Sequence, residues 1–475
     1  MPQPRRIYLL DPRHLSPETI AVAFAKTSRS PLTFQEIADE LSDEKSADFH
    51  EKWVVGYGHS SVAEHAVLHI ALENVSRLSV ECIESNRLAS YTEKSSRYQV
   101  WDRDYFYVPH ELAGCSLEDE YITLNQRLFD HYQIALEKVA EYLKCNQAQQ
   151  ESESERAYNQ RLRTCCADVC RYYLPASALA NVGMTINARA LEHAITKLLS
   201  HPLVEIQTIG LEVKAASLGI VPTLVKYANE NPYLKNSEDI FHSIVDYQKS
   251  SSWKETDWFK CVNCDPDGET RILAALLFRF GEISFDQAVE MVGSLAPDRM
   301  KEMAINLLGR LGEHDIPLRE MEFATISFEL LLDQGAYFEL KRHRMMTQTP
   351  QALTARQGYA IPSLIEEGGV SLMFRADMAD VEAFYEKLFA LNPHIASYIV
   401  PNAFNRRVLI QMNLRSALHF IKLRSAPNAH FAIRRVAFRM AEEIRLRYPL
   451  FASYFSPTGD ETWQSISTQF FNQLS

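Results

Sequence analysis

Lys341-Arg342-His343-Arg344 is the densest cationic run in the second half of the chain. An arginine fork donates two parallel hydrogen bonds and so suits a phosphate or a carboxylate. A histidine between two arginines can face a polarisable ring or a pyrophosphate. A solvated basic turn is the competing reading. In the first half, Glu93, Ser95 and Arg97 occupy alternate positions of the segment 90–99. On an extended chain they point to one face. A carboxylate, a hydroxyl and a guanidinium together can grip the phosphate and ribose of a nucleotide, or simply form an ion pair on a surface strand edge. Tyr98 beside them reads as structural.

Other chemistry is sparse. Eight cysteines in 475 residues do not form a secreted disulfide framework. Cys261 and Cys264 make one Cys-Val-Asn-Cys pair without a matching second pair, so no zinc site is expected and ordinary loop thiols are the simpler reading. The net charge of −12 argues against a general nucleic-acid binder. No stretch is apolar enough for a membrane helix, and the apolar run after Arg5-Arg6 is too short for a secretory signal. A cytoplasmic protein is expected.

The elements that must position these residues come in two sets. Asn187-Ala-Arg189 followed by His193 reappears as Asn413-Leu-Arg415 followed by His419. Leu174-Pro175 matches Val400-Pro401, Pro222 answers Pro449, and Arg87 to Ser90 matches Arg344 to Thr347. The order is the same in both halves, which marks a duplicated domain. Copy one is placed at 6–228, a polar linker at 229–267, copy two at 268–456 and a C-terminal tail at 457–475. Residues 146–156 read as an exposed loop. Segments 66–76 and 323–333 alternate like strands. Segments 188–200 and 414–424 have helical spacing, and 430–449 reads as a long amphipathic helix stopping near its proline. The expected class is α+β, helix-rich, with a central mostly antiparallel sheet in each copy.

With these residues in hand the chain resembles the flavin-dependent thymidylate synthases, marked by R-H-R-x-x-S-x-N-E-x-S-x-R-Y. Copy two keeps Arg342, His343 and Arg344, with Thr347 for the serine, then diverges, with Pro350 where the glutamate belongs. Copy one has Ser85 and Asn86 for the first two positions but keeps Arg87, Ser90, Glu93, Ser95, Arg97 and Tyr98. The family's R-x-x-L-P segment survives as Arg171 to Pro175 in copy one, against Ser397 in copy two. Its N-x-R-x-x-x-N segment and following arginine look like Asn413, Arg415, His419 and Arg424; copy one has Leu198 at the last position. The H-x-T-P-x-E-H segment looks like His59, Ser61, Glu64 and His65, and copy two has lost most of it. Each copy keeps what the other lost, the pattern expected if one composite site is retained.

The resemblance implies reductive methylation of dUMP to dTMP, with methylenetetrahydrofolate giving the carbon, FAD the hydride and NADPH reducing the flavin. Glu93, Ser95, Arg97 and Arg171 would hold the nucleotide, and Arg342 and Arg424 would approach it from the other copy. Arg424, Arg342 and Ser95 are the catalytic candidates, Ser95 as a binding group rather than a nucleophile. Arg424 would stabilise charge on the pyrimidine. His343, Arg344, Thr347, Asn413, Arg415 and His419 would line the flavin, with Ser61, Glu64 and His59 from copy one. Asn187 and Arg189 would serve a vestigial or second flavin. Two chains would make a homodimer resembling the family's tetramer. Two alternatives stand beside this: a related reaction on another pyrimidine nucleotide, and a non-catalytic flavin- or nucleotide-binding homologue.

Overall fold

A computed structural model describes residues 6–28, 30–56, 59–244, 257–312 and 314–474. The chain divides into two compact units. Unit one comprises 1–95, 105–120 and 177–250; unit two comprises 96–104, 121–176 and 251–475. The units therefore do not follow the two sequence copies, because 96–104 and 121–176 of copy one fold into unit two.

Unit one is built on the antiparallel strands β1 (Val67–Ser76), β2 (Ala89–Glu93) and β3 (Leu179–Asn187), in the order β1-β3-β2. Alternate residues Ala180, Val182, Met184 and Ile186 are buried, as the period of a half-covered strand requires. The register slips between Leu72 and Val75, where Asn74 has a φ of 57°. That is a bulge, and asparagine is among the few side chains that tolerate this conformation. The helix Arg77–Glu84 follows, capped by Ser76, whose hydroxyl accepts from Ser79 N–H. Buried Glu205 takes hydrogen bonds from Ser76 N–H and from the Ser76 and Ser79 hydroxyls. Helix Ala188–Leu199 starts directly after β3, capped by Asn187.

Unit two repeats this plan with one strand more. β4 (Phe259–Cys264), β5 (Thr325–Asp333), β6 (Thr347–Pro350) and β8 (Asn405–Asn413) form a sheet in the order β4-β5-β8-β6, all antiparallel. A two-stranded ribbon joins β7 (Ile361–Pro362) to β9 (Phe471–Gln473). Helix Gln334–Leu340 is capped by Asp333, Leu414–Arg424 by Asn413, and Phe431–Arg447 by His430. Register confirms the duplication: Val67 lies opposite Asn187 as Thr325 lies opposite Asn413, and Glu93 opposite Val182 as Pro350 opposite Val408. Matching capping boxes, Thr33 with Glu36 and Ser284 with Gln287, begin corresponding helices. The fold is α+β, two tandem copies of one helix-rich domain with antiparallel sheets.

Four local expectations need correction. The segment read as a linker with one short helix has that helix at 232–244, but its 259–264 is β4, so Cys261 and Cys264 sit on a strand and not in a loop. The segment read as a tail carries helix Trp463–Phe470 and β9, which pairs back onto β7. β2 ends at Glu93 and Arg97 lies in a turn, so the single face drawn through Glu93, Ser95 and Arg97 does not form. His65, which the alternation beyond it would extend into a strand, ends a short 3-10 helix ahead of β1. Residues 245–256 of the same linker lie outside the described residues. The two long strands, the three helices and the 146–156 loop fall where the periodicity put them.

Candidate active site

The last turn of helix Leu414–Arg424 sends Arg424 back toward the turn that follows helix Gln334–Leu340. Arg424 Nε donates to His343 Nε2 at 2.8 Å and Nη1 donates to Glu339 Oε2 at 2.7 Å. Both partners of the Arg424–Glu339 pair are nearly buried, at 14% and 10% exposed. Burial drives His343 down to about 3, and the neighbouring Arg424 and His419 push the same way. The imidazole is therefore neutral near pH 7. Because Nε2 accepts from Arg424, the ring proton belongs on Nδ1.

Glu339 is the hub of the cluster. Burial alone would raise its carboxyl. The guanidiniums of Arg171, Arg424, Arg342 and Arg97 outweigh that and hold it below the ordinary carboxylate range. Arg97 is fixed by a two-pronged pair with Asp168, Nε to Oδ1 at 2.7 Å and Nη2 to Oδ2 at 2.9 Å, and Nη2 also reaches Asn428 O at 3.3 Å. Arg171 is 2% exposed; its Nη2 donates to Gly335 O at 3.3 Å, while its buried Nε lacks a hydrogen-bond partner among the described residues. A Cβ on Gly335 would stand 3.0 Å from Asp333 Oδ1 and 3.4 Å from Arg171 Nη2, so the residue is glycine for close approach. His430 closes the floor: Nδ1 accepts from Ala432 N–H and Nε2 donates to Asp168 O at 3.1 Å. Its burial, with Arg171 and Arg97 beside it, keeps that ring neutral. Four guanidiniums gathered around one buried carboxylate suit an incoming anion such as a phosphate.

Unit two thus brings together Arg97 and Arg171 of copy one with Arg342, His343 and Arg424 of copy two. His419 belongs to the same region, its ring 5.9 Å from that of His343. Arg344 is half-buried after the same turn, and Thr347 starts β6 with an exposed side chain. Asn413 is committed as a helix cap to Ser416 N–H. Arg415 donates to Glu322 Oε1 at 2.8 Å and to Pro317 O at 2.9 Å.

Unit one holds the other expected residues. Glu93 turns its carboxylate onto Arg77 at 3.2 Å, with both side chains 3% exposed or less. Ser95 is half-buried just beyond β2. Asn187 caps Ala190 N–H, and Arg189 pairs with Glu64. His59, Ser61, Glu64 and His65 line a cavity of about 730 Å³ together with Trp53 and Phe24. The rings of Trp53 and His59 stand 6.2 Å apart and those of Phe24 and His65 5.0 Å apart. A flat heteroaromatic group fits such walls.

Three residues escape the sequence reading. Glu339 and Asp168 carry no motif signal. Glu322 does: it lies three residues before β5 as Glu64 lies three before β1, and both pair with the arginine that opens the helix after the third strand. Among the described residues no group of histidine, cysteine, aspartate or glutamate is placed to hold a metal ion, all eight cysteines are free, and no helix is long and apolar enough to cross a membrane.

The family described as thymidylate synthase complementing protein, Thy1, matches residues 12–223 and again 262–450. A UPF0159 protein of Chlamydia muridarum is 29% identical over 431 residues, covering 87% of this chain and 82% of that one. One of Thermoplasma acidophilum is 28% identical over 473 residues, 90% and 93% of the two chains. A flavin-dependent thymidylate synthase of Clostridium tetani is 27% identical over 214 residues, 45% of this chain and 82% of its own. Among solved structures, flavin-dependent thymidylate synthase ThyX from Helicobacter pylori, complexed with FAD and dUMP, is 22% identical over 46% of this chain and 98% of its own, with a TM-score of 0.30. The UMP/dUMP methylase PolB from Streptomyces cacaoi, bound with 5-Br dUMP, is 15% identical over 42% and 93%, with a TM-score of 0.33.

Proposed function

Since the chain belongs to the Thy1 family, we propose that it is an FAD-dependent thymidylate synthase that converts dUMP to dTMP at a site furnished by both copies. One observation carries the proposal. Arg97 and Arg171 from copy one, and Arg342 and Arg424 from copy two, all act on the single carboxylate of Glu339. A dead duplicate has no reason to keep four guanidiniums on one carboxylate, because like charges crowded together cost stability unless an anion comes to them.

The residues take these roles. Arg97, already oriented by Asp168, and buried Arg171 hold the nucleotide phosphate. Glu93 keeps β2 in place through Arg77. Arg342 and Arg424 close on the nucleotide from the other side. Arg424, fixed by Glu339 and His343, faces the pyrimidine carbonyl, where a preorganised cation stabilises developing negative charge. His343 acts as a neutral donor through Nδ1 and does not act as an acid near neutrality. His343 and His419, two rings 5.9 Å apart beside cationic Arg344, suit an aromatic ring bearing a phosphate chain. Thr347, Asn413 and Arg415 extend that wall, which would hold FAD, the group that would supply the hydride. His59, Ser61, Glu64, Asn187 and Arg189 offer unit one's aromatic cavity to a second flat group, a folate or a flavin. Methylenetetrahydrofolate is the carbon donor and NADPH the reductant on this proposal.

The test is an anaerobic assay with dUMP, methylenetetrahydrofolate, FAD and NADPH. Flavin reduction followed by dTMP formation, lost in Arg424→Ala and in Arg97→Ala, supports the proposal. A colourless protein that takes up no FAD overturns it.

A further inference from the structure

Corresponding strands of the two copies meet different fates at their outer edges. In unit two, β4 covers the outer edge of β5, with Phe259 opposite Leu330, Lys260 opposite Glu329, Cys261 opposite Phe328, Asn263 opposite Ser327 and Cys264 opposite Ile326. β4 runs into Asp265-Pro266 and then a helix. Asp265 clamps the start of β5: its Oδ2 accepts from Thr325 N–H at 2.8 Å and from Thr325 Oγ1 at 3.1 Å. In unit one the same sequence frame, Leu10-Asp11-Pro12, also leads to a helix, so Arg6–Leu10 is the counterpart of β4. Yet β1 is an outer strand of a three-stranded sheet, and Arg6–Leu10 has no strand structure.

The clamp has been lost in sequence. Val67 stands where Thr325 stands in unit two and has no hydroxyl to offer. Asp11 accepts instead from Arg13, at its backbone N–H and its guanidinium. The segment is held elsewhere: the Tyr8 hydroxyl accepts from Gln35 N–H at 3.1 Å, and Leu10 packs on Ala23, Ile37 and Ala38. So held, it projects Ile7 at 90% and Leu9 at 94% exposure, while Val67 on the open edge is 45% exposed. Two exposed apolar side chains on the sequence counterpart of β4, and a strand edge that no described residue of its own copy pairs with, are complementary features. Open edges of this kind pair with another chain unless blocked by charge or proline. From Val67 to Leu72 the strand carries neither a proline nor a charged side chain.

We propose that Arg6–Leu10 of one chain adds as a fourth strand to β1 of a second copy, reciprocally, giving a two-fold dimer. The β4 pairing sets the register: Leu10 opposite Leu68, Leu9 opposite His69, Ile7 opposite Ile70 and Arg6 opposite Ala71, with Tyr8 at the bulge that Val262 marks in β4. In that register Leu10 and Ile7 fall on the side where Leu68 and Leu72 are buried. Reciprocal exchange closes the assembly at two chains, because among its described residues each chain offers one such donor segment and one such edge. The proposal does not depend on the catalytic reading.

Sedimentation equilibrium of the full chain, paired with hydrogen exchange at 67–72, tests it. The wild type forms a dimer, and its 67–72 amides are protected in the dimer and open on dilution. Ile7→Asp and Leu9→Asp, both at exposed positions that the monomer fold does not use, weaken the dimer at least about tenfold and unprotect 67–72. Circular dichroism checks that the variants fold. A wild type that stays monomeric, a dimer unchanged by both variants, or 67–72 amides protected in the monomer each overturns the proposal; the last result would mean that the segment pairs with its own β1.

Discussion

Replacing Arg97 by methionine removes both hydrogen bonds to Asp168 and leaves a carboxylate that is 12% exposed without its cation. Breaking a buried ion pair from one side costs about 3–5 kcal/mol; the residual exposure puts the expected loss near about 3 kcal/mol. Asp168→Asn leaves a guanidinium in the field of Arg171 and costs a similar amount. The double variant has neither orphan, so its loss should fall to about 1 kcal/mol, a coupling energy of at least about 2 kcal/mol. Nucleotide affinity should move differently. The cluster charge falls by one in Arg97→Met and rises by one in Asp168→Asn. At an effective dielectric of about 40 to 80, one charge about 4 Å from a phosphate changes affinity by roughly five- to thirtyfold. Urea unfolding gives the stabilities and titration calorimetry with dUMP the affinities. A coupling energy under about 0.5 kcal/mol, or Arg97→Met binding dUMP as tightly as Asp168→Asn, would refute the reasoning.

Three further outcomes are expected. His343 has a folded pKa of about 3 against 6.5 in the unfolded chain, so its stability contribution is complete above about pH 6.5 and is lost as the pH falls toward 3; the unfolding free energy of His343→Asn should depend less on pH across that window. Glu339→Gln keeps an oxygen for Arg424 while removing the resident negative charge, so calorimetry should show dUMP bound about tenfold more tightly; weaker binding would mean the carboxylate itself is a ligand of the nucleotide. In copy one the positions of Arg342, His343 and Arg424 are Ser85, Asn86 and Leu198, and Lys197 spends its ammonium on Ser85 and on Asn86 Oδ1 at 2.9 Å. Calorimetry should therefore find one nucleotide per chain, and two would show that the copy-one counterpart still binds.

Collinear repeats made the duplication legible, alternation made β1 and β5 legible, and amphipathic spacing with a terminal proline made the helix Phe431–Arg447 legible. β4 was hidden because six residues between polar, turn-rich flanks carry little pattern of their own; its pairing with β5 is decided by tertiary contact. The alternation of Glu93, Ser95 and Arg97 misled for a related reason: strand geometry stops where the ladder stops, at Glu93 opposite Val182, and a turn then re-aims Arg97 toward Asp168. Arginines of the site were visible because their spacing is tied to a motif. Glu339 and Asp168 were not, since nothing in one sequence says which carboxylates face which guanidiniums. Glu322 could have been found by counting back from the strand, as Glu64 shows.

The account's central claim is that one chain carries the whole nucleotide cluster, Arg97 and Arg171 with Arg342 and Arg424. Mixing and co-refolding Arg97→Met with Arg424→Ala, each inactive alone, and assaying dTMP formation tests it most directly. If each chain builds its own cluster, the mixture stays inactive while the wild type turns over. Activity recovered in the mixture would place the two halves of the site on different chains and contradict the account.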